Sequence, residues 1–152
     1  MTTEPGGGPE RRIVVGVDGS APSKSALAWA VRQSRLTGAV VEAVIAWEFP
    51  SVTGYPMLVS DVDWEDLAEQ IVTDAIREVG SSAGHAEIHS KVVEGNAAQV
   101  LVDESAGAEL LVVGSRGHGG FVEALLGSVG QHCVHHAKCP VVVIRDSVTA
   151  AS

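Results

Sequence analysis

The chain has 152 residues, 45% of them hydrophobic, and a formal net charge of −9 at pH 7. That length suits one domain with a real core, and the charge excludes duplex nucleic acid as the expected partner, because phosphate binding needs a surplus of Lys and Arg on one face. No apolar run is long enough to cross a bilayer, so no membrane partner is expected either.

Taken in chain order, "RRIVVGVDGS" begins β-branched and ends in turn residues, which predicts a buried strand over residues 12–18. "APSKSALAWAVRQSRLTG" reads as a helix with Ser20 as N-cap, Pro22 in the first turn, Leu27, Ala30, Val31 and Ser34 on one face, and Gly38 past the end. "AVVEAVIAW" is a second strand, and "EFPSVTGYPM" is loop by its Pro and Gly content. The clearest helix is "DVDWEDLAEQIVTDAIREVGSSAG": Trp64, Leu67, Ala68, Ile71, Ala75, Ile76 and Val79 form an apolar stripe, and acids cluster at its positive end. "HAEIHSKVVEG" is a weaker strand, after which Asn96 caps a short helix through "AAQVLVDESAG". "AELLVVG" is the fourth strand, "SVGQHCVHHAK" the fourth helix, and Pro140 opens the last strand, "VVVIR". Strict strand–helix alternation predicts an α/β fold, a parallel sheet with helices on both faces. Residues 12–146 form the expected single domain, with flexible tails at 1–11 and 147–152. "MTTEPGGGPERR" lacks the apolar segment of a secretory signal, and Cys133 and Cys139 are too few for a disulfide framework, so a cytoplasmic protein is expected.

Ligands of open α/β sheets bind beyond the carboxyl ends of the strands, where the strand order reverses. Two such ends carry unusual residues: "DGS" after the first strand and "GSRGHGGFVEALLGSVG", residues 114–130, after the fourth. Glycine serves where backbone turns with positive φ or closely approaches a ligand. Backbone N–H groups at the helix start, with Ser128, make an anion site whose commonest guest is phosphate. The competing reading is that these glycines only turn the chain between strand and helix. The loop matches neither the Gly-Lys-Ser/Thr phosphate loop nor the dinucleotide fingerprint.

Its pattern is Gly114, two residues, Gly117, nine residues, then Gly127 and Ser128. Following "LLVVG", in a chain that opens with "IVVGVDGS" and closes with "HHAKCPVVVIR", it resembles the universal stress protein family over residues 12–145. The resemblance implies a Rossmann-like, adenine nucleotide alpha hydrolase-like sheet of order 3-2-1-4-5. It also implies an adenine nucleotide, usually ATP, with Mg2+ admissible beside it. By position, Val17, Asp18 and Gly19 would border the nucleoside and Ala46 would meet adenine through its backbone. Gly114, Arg116, Gly117 and His118 would line the ribose and phosphate approach, and Gly127, Ser128 and Val129 would hold the phosphates. One departure is Gly130, where ATP-binding relatives often carry Ser or Thr. A net hydrogen bond contributes about 0.5–1.5 kcal/mol, so its loss brings AMP or cyclic AMP into consideration. The family reading also implies a two-fold homodimer through residues 141–145 at an apolar sheet edge.

The residues also carry plainer readings. Asp18 can brace the turn into the first helix, and Arg116 can be a solvated surface residue. His132, Cys133, His135, His136 and Cys139 invite zinc, but Cys133 falls with Val129, Val134 and Ala137 on the expected buried side, so no metal site is expected. The expected function is stress response by sensing or sequestering nucleotide; a nucleotide-free interaction module of the same fold is the alternative. No enzyme is expected: phosphoryl transfer needs more cations than Arg116 and His118 supply, and "GSRGHGG" is no Gly-x-Ser-x-Gly elbow.

Overall fold

The computed structural model describes residues 11–48, 51–52, 55–56, 63–80, 86–115 and 127–145. Five strands carry the sheet: β1 (Arg12–Gly16), β2 (Val40–Trp47), β3 (Ile88–Glu94), β4 (Leu110–Gly114) and β5 (Val141–Ile144). They are all parallel, in the order 3-2-1-4-5, as expected. In the region expected as loop, Ser51–Val52 pairs antiparallel with Tyr55–Pro56. β1 is central: Val15 pairs with Ala43 on one side and Val112 on the other. Ile13, Val14 and Val15 are all buried, because helices cover both faces of a parallel sheet and an alternating polar face would have no water to meet.

The helices are α1 (Ala21–Thr37), α2 (Trp64–Gly80), α3 (Ala97–Glu104) and α4 (Ser128–His136). α1 and α2 pack on one face around Val15, Leu27, Val31, Val41, Val72 and Val112. On the other, α3 and α4 cover Val14, Val44, Leu101, Leu111, Val113 and Cys133. The caps follow the sequence closely. Ser20 accepts the Ser23 N–H, Asn96 accepts the Gln99 N–H at 3.1 Å, and Gly38 ends α1 at φ 82°, its N–H donating to Ser34 at 2.8 Å.

The differences from expectation are local. The β1 ladder stops at Gly16 rather than residue 18, and α2 begins at Trp64, its entry capped by the Asp63 carboxylate on the Asp66 N–H at 3.1 Å. α2 docks through buried Ala68, Val72 and Ala75 with Ile71, Ile76 and Val79 packed beside them, as the apolar pattern suggests, but leaves Leu67 43% exposed. α2 packs mainly on β2, β3 and part of α1, and Leu67 lies off that contact face. Val134 is 48% exposed, because one residue past buried Cys133 a helix has turned about 100° away. At the amino edge of the sheet the Arg12 guanidinium donates to Glu42 at 3.0 Å and to the Glu104 and Ala106 carbonyls at 2.8 Å, closing the end of α3.

Candidate functional site

Because every strand is parallel, the turns leaving β1, β2 and β4 share one edge of the sheet. The order reverses between β1 and β4: the chain leaves β1 toward β2, then returns to β1's other side. Val17, Asp18 and Gly19 form the first turn. Val17 still reaches β2, its N–H donating to the Val44 carbonyl at 2.9 Å. Asp18 Oδ1 accepts the Ser20 N–H at 2.9 Å and the Ser20 hydroxyl, while its own N–H donates to Ser23 Oγ at 3.3 Å. The bracing role read for Asp18 is therefore present. Gly19 has φ 85°, a left-handed conformation that favours glycine. Ser23, absent from the sequence expectations, completes this knot by donating its hydroxyl to the Ser20 carbonyl at 3.0 Å.

β2 outlasts β1 at this edge. Parallel strands alternate the direction of their backbone groups. Since the Val44 carbonyl faces β1 and the Trp47 carbonyl accepts Gly95 N–H on the β3 side, the Ala46 N–H and C=O face the space past the end of β1. That pair is one donor beside one acceptor, the pattern that complements the pairing edge of adenine.

β4 ends at Gly114, and its successor Ser115 is a junction. Ser115 N–H donates to the Ile144 carbonyl at 2.8 Å, and its C=O accepts the Gly127 N–H at 2.6 Å. The start of α4 is thereby fixed to the end of β4. Gly127 is the N-cap at φ −73° and ψ 173°, and no side chain caps it. The Ser128, Val129 and Gly130 N–H groups belong to the first turn, where no intrahelical acceptor exists, because the first such bond is Gln131 N–H to Gly127 C=O at 2.9 Å. Ser128 is exposed, whereas Gly130 is buried.

Gly114 has a different local reason. A Cβ there would lie 2.8 Å from Pro22 C and Cβ and 2.9 Å from its O, so the bare glycine lets α1 settle onto β4. Arg116, Gly117 and His118, read as lining the ribose and phosphate approach, lie outside the described residues, as do residues 1–10 and 147–152 of the expected tails, whereas Arg11, the last residue of the first tail, is ion-paired with Glu109 at 2.8 Å. Ser115 had one signal in the sequence, a hydroxyl directly after an apolar strand; it is 5% exposed. Burial pushes the Cys133 thiol up to about 11, with the Cys139 thiol adding to the effect. Among the described residues no three His, Cys, Asp or Glu side chains converge on a metal position, and no helix is long and apolar enough to cross a membrane.

The model of the universal stress protein family matches residues 10–145. A universal stress protein of Mycobacterium tuberculosis is 35% identical over 140 residues, 90% of this chain and 46% of its own length. A second from that organism is 37% identical over 136 residues, covering 89% and 45%. The chain spans about half the length of the curated relatives it matches. Among solved structures, a universal stress protein in complex with cAMP is 26% identical at a TM-score of 0.68, over 91% of this chain and 98% of that one. An Arabidopsis thaliana family member with AMP bound has 20% identity and a TM-score of 0.58, over 89% and 90%. The Archaeoglobus fulgidus protein in complex with dAMP has 23% and 0.58, over 88% and 97%. Sequence, strand order and fold agree: this chain belongs to the universal stress protein family.

Proposed function

We propose that this chain binds an adenine nucleotide, ATP foremost, and serves stress response by sensing or sequestering it without efficient turnover. The observation that carries the reading is the uncapped start of α4, tied to the end of β4 by the Gly127–Ser115 bond beside the strand-order reversal. Phosphates would take the Ser128, Val129 and Gly130 N–H groups, where the helix dipole favours negative charge. Adenine would take the Ala46 backbone pair, and Val17, Asp18 and Gly19 would border the nucleoside, with Gly114, Arg116, Gly117 and His118 on the ribose and phosphate approach. Mg2+ would accompany the phosphates. The cAMP, AMP and dAMP complexes of similar structures support the ligand class. Gly130, which offers an N–H but no hydroxyl, favours AMP or cyclic AMP as the second reading.

Thermal melts with ATP, AMP and cyclic AMP, each with MgCl2, test both. A ligand at a hundredfold excess over its dissociation constant stabilises by about 2.7 kcal/mol, a rise of roughly 5–10 °C for a domain of this size. Gly127→Val should abolish the rise and keep the fold, since valine readily adopts the φ and ψ of Gly127. No shift with any of the three would overturn the proposal. Phosphate release at a steady catalytic rate would overturn the non-enzymatic part.

The chain would act as a homodimer through 141–145. β5 is an edge strand of four half-buried apolar residues. Leu111 N–H donates to Pro140 C=O, and Ser115 N–H donates to Ile144 C=O, so even-numbered residues face β4 and the backbone of Val141 and Val143 faces outward. Val143→Pro removes one outward donor and leaves the β4 ladder intact. Light scattering should report a dimer for the parent and a monomer for the variant, and a monomeric parent would refute this assembly.

A further inference from the structure

The carboxyl end of α4 carries His132, His135 and His136, and the nucleotide reading uses none of them. His132 is half-buried; the other two are exposed. His132 and His136 are one turn apart, and their ring centroids lie 4.4 Å apart at an interplanar angle of 37°. His135, adjacent in sequence to His136, has its ring 6.4 Å away in an edge arrangement. No hydrogen bond or ion pair occupies any of these three imidazoles among the described residues.

The separation can be compared with what a shared metal ion would demand. An imidazole bound through a ring nitrogen at about 2.1 Å holds its centroid about 3.2 Å from the ion. Two such rings have centroids about 4.5 Å apart when they subtend a right angle at the ion and about 5.2 Å apart at the tetrahedral angle. Once each ring turns a nitrogen toward a shared ion, the observed 4.4 Å matches adjacent positions of an octahedral or tetragonal ion more closely than the tetrahedral spacing. A cation there also lies at the negative end of the α4 dipole. We propose that His132 and His136 form a two-imidazole chelate for a divalent late transition metal of octahedral or tetragonal preference, nickel or copper, with water in the remaining positions. His136 is about 12 Å along the helix axis from Ser128, so this site is separate from the nucleotide site and stands without it.

Nickel chloride alone is the probe, because Ni(II) leaves Cys133 and Cys139 unoxidised. Titration calorimetry of the full chain should show the tightest Ni(II) site weakened at least tenfold by His132→Ala and by His136→Gln, and less than twofold by His135→Ala. Because His135 and His136 are exposed, metal-free melts of His135→Ala and His136→Gln should match the parent, which keeps the test free of the half-buried His132 side chain. Zn(II) should bind this pair more weakly than Ni(II). Unchanged affinity in His136→Gln, an equal loss in His135→Ala, or tighter Zn(II) than Ni(II) would overturn the assignment.

Discussion

Replacing Gly114 by alanine puts a methyl group 2.8 Å from Pro22 C and Cβ and 2.9 Å from Pro22 O. Comfortable carbon contacts need about 3.5–4.0 Å, so helix and strand must part by most of an ångström. The obstacle is backbone at the first turn of α1, whose displacement would also pull on the Asp18, Ser20 and Ser23 bonds. Overpacking of this kind destabilises by about 1–3 kcal/mol, and a domain of this size loses roughly 2–4 °C of melting temperature per kcal/mol. A fall of roughly 2–12 °C is expected by circular dichroism in nucleotide-free buffer. Gly16→Ala is the control. Its Cβ would meet the tip of a side chain, Leu101 Cδ1, at 2.6 Å, so adding Leu101→Ala should relieve the clash and the two changes should couple favourably. Pro22→Ala cannot rescue Gly114→Ala, because the offending C, O and Cβ remain. A Gly114→Ala melt within about 1 °C of the parent, or rescue by Pro22→Ala, would refute the packing argument.

Other substitutions probe single links. Asn96→Ala removes the α3 cap and should lower stability by about 1 kcal/mol, measured by urea denaturation. Asp18→Ala leaves the Ser20 N–H and hydroxyl without their acceptor, and should cost about 1–3 kcal/mol in the same assay even without nucleotide. The Cys133 thiol is held up to about 11 from an ordinary 9.0. In the unfolded chain it ionises first, so its contribution to stability is complete below pH 9 and is lost as pH rises toward 11. Urea midpoints should fall across that window, and fall less in Cys133→Ala.

The strands, their parallel pairing and three caps were legible because central parallel strands are unbroken apolar runs, and because Ser20, Gly38 and Asn96 act on neighbours in sequence, whereas the order 3-2-1-4-5 came only with the family resemblance. The α2 interface was legible except at two positions: buried Val72 lay outside the apolar stripe read from the sequence, and Leu67, placed in it, is 43% exposed. For Gly114, sequence cannot distinguish a missing side chain that admits a ligand from one that admits a helix. Asp18 illustrates the same limit, since its carboxylate serves the α1 turn whatever else it meets. Ser115 was passed over because its bonds to Ile144 and Gly127 run through the backbone, which any residue possesses.

Those two bonds also separate two kinds of change. The Ser115 C=O holds the Gly127 N–H at the start of α4, while the Ser115 N–H independently holds the end of β5. Because both bonds use backbone atoms alone, a change of side chain at position 115 leaves α4 and the end of β5 tied to the same point, whereas a change of backbone path there would move both together.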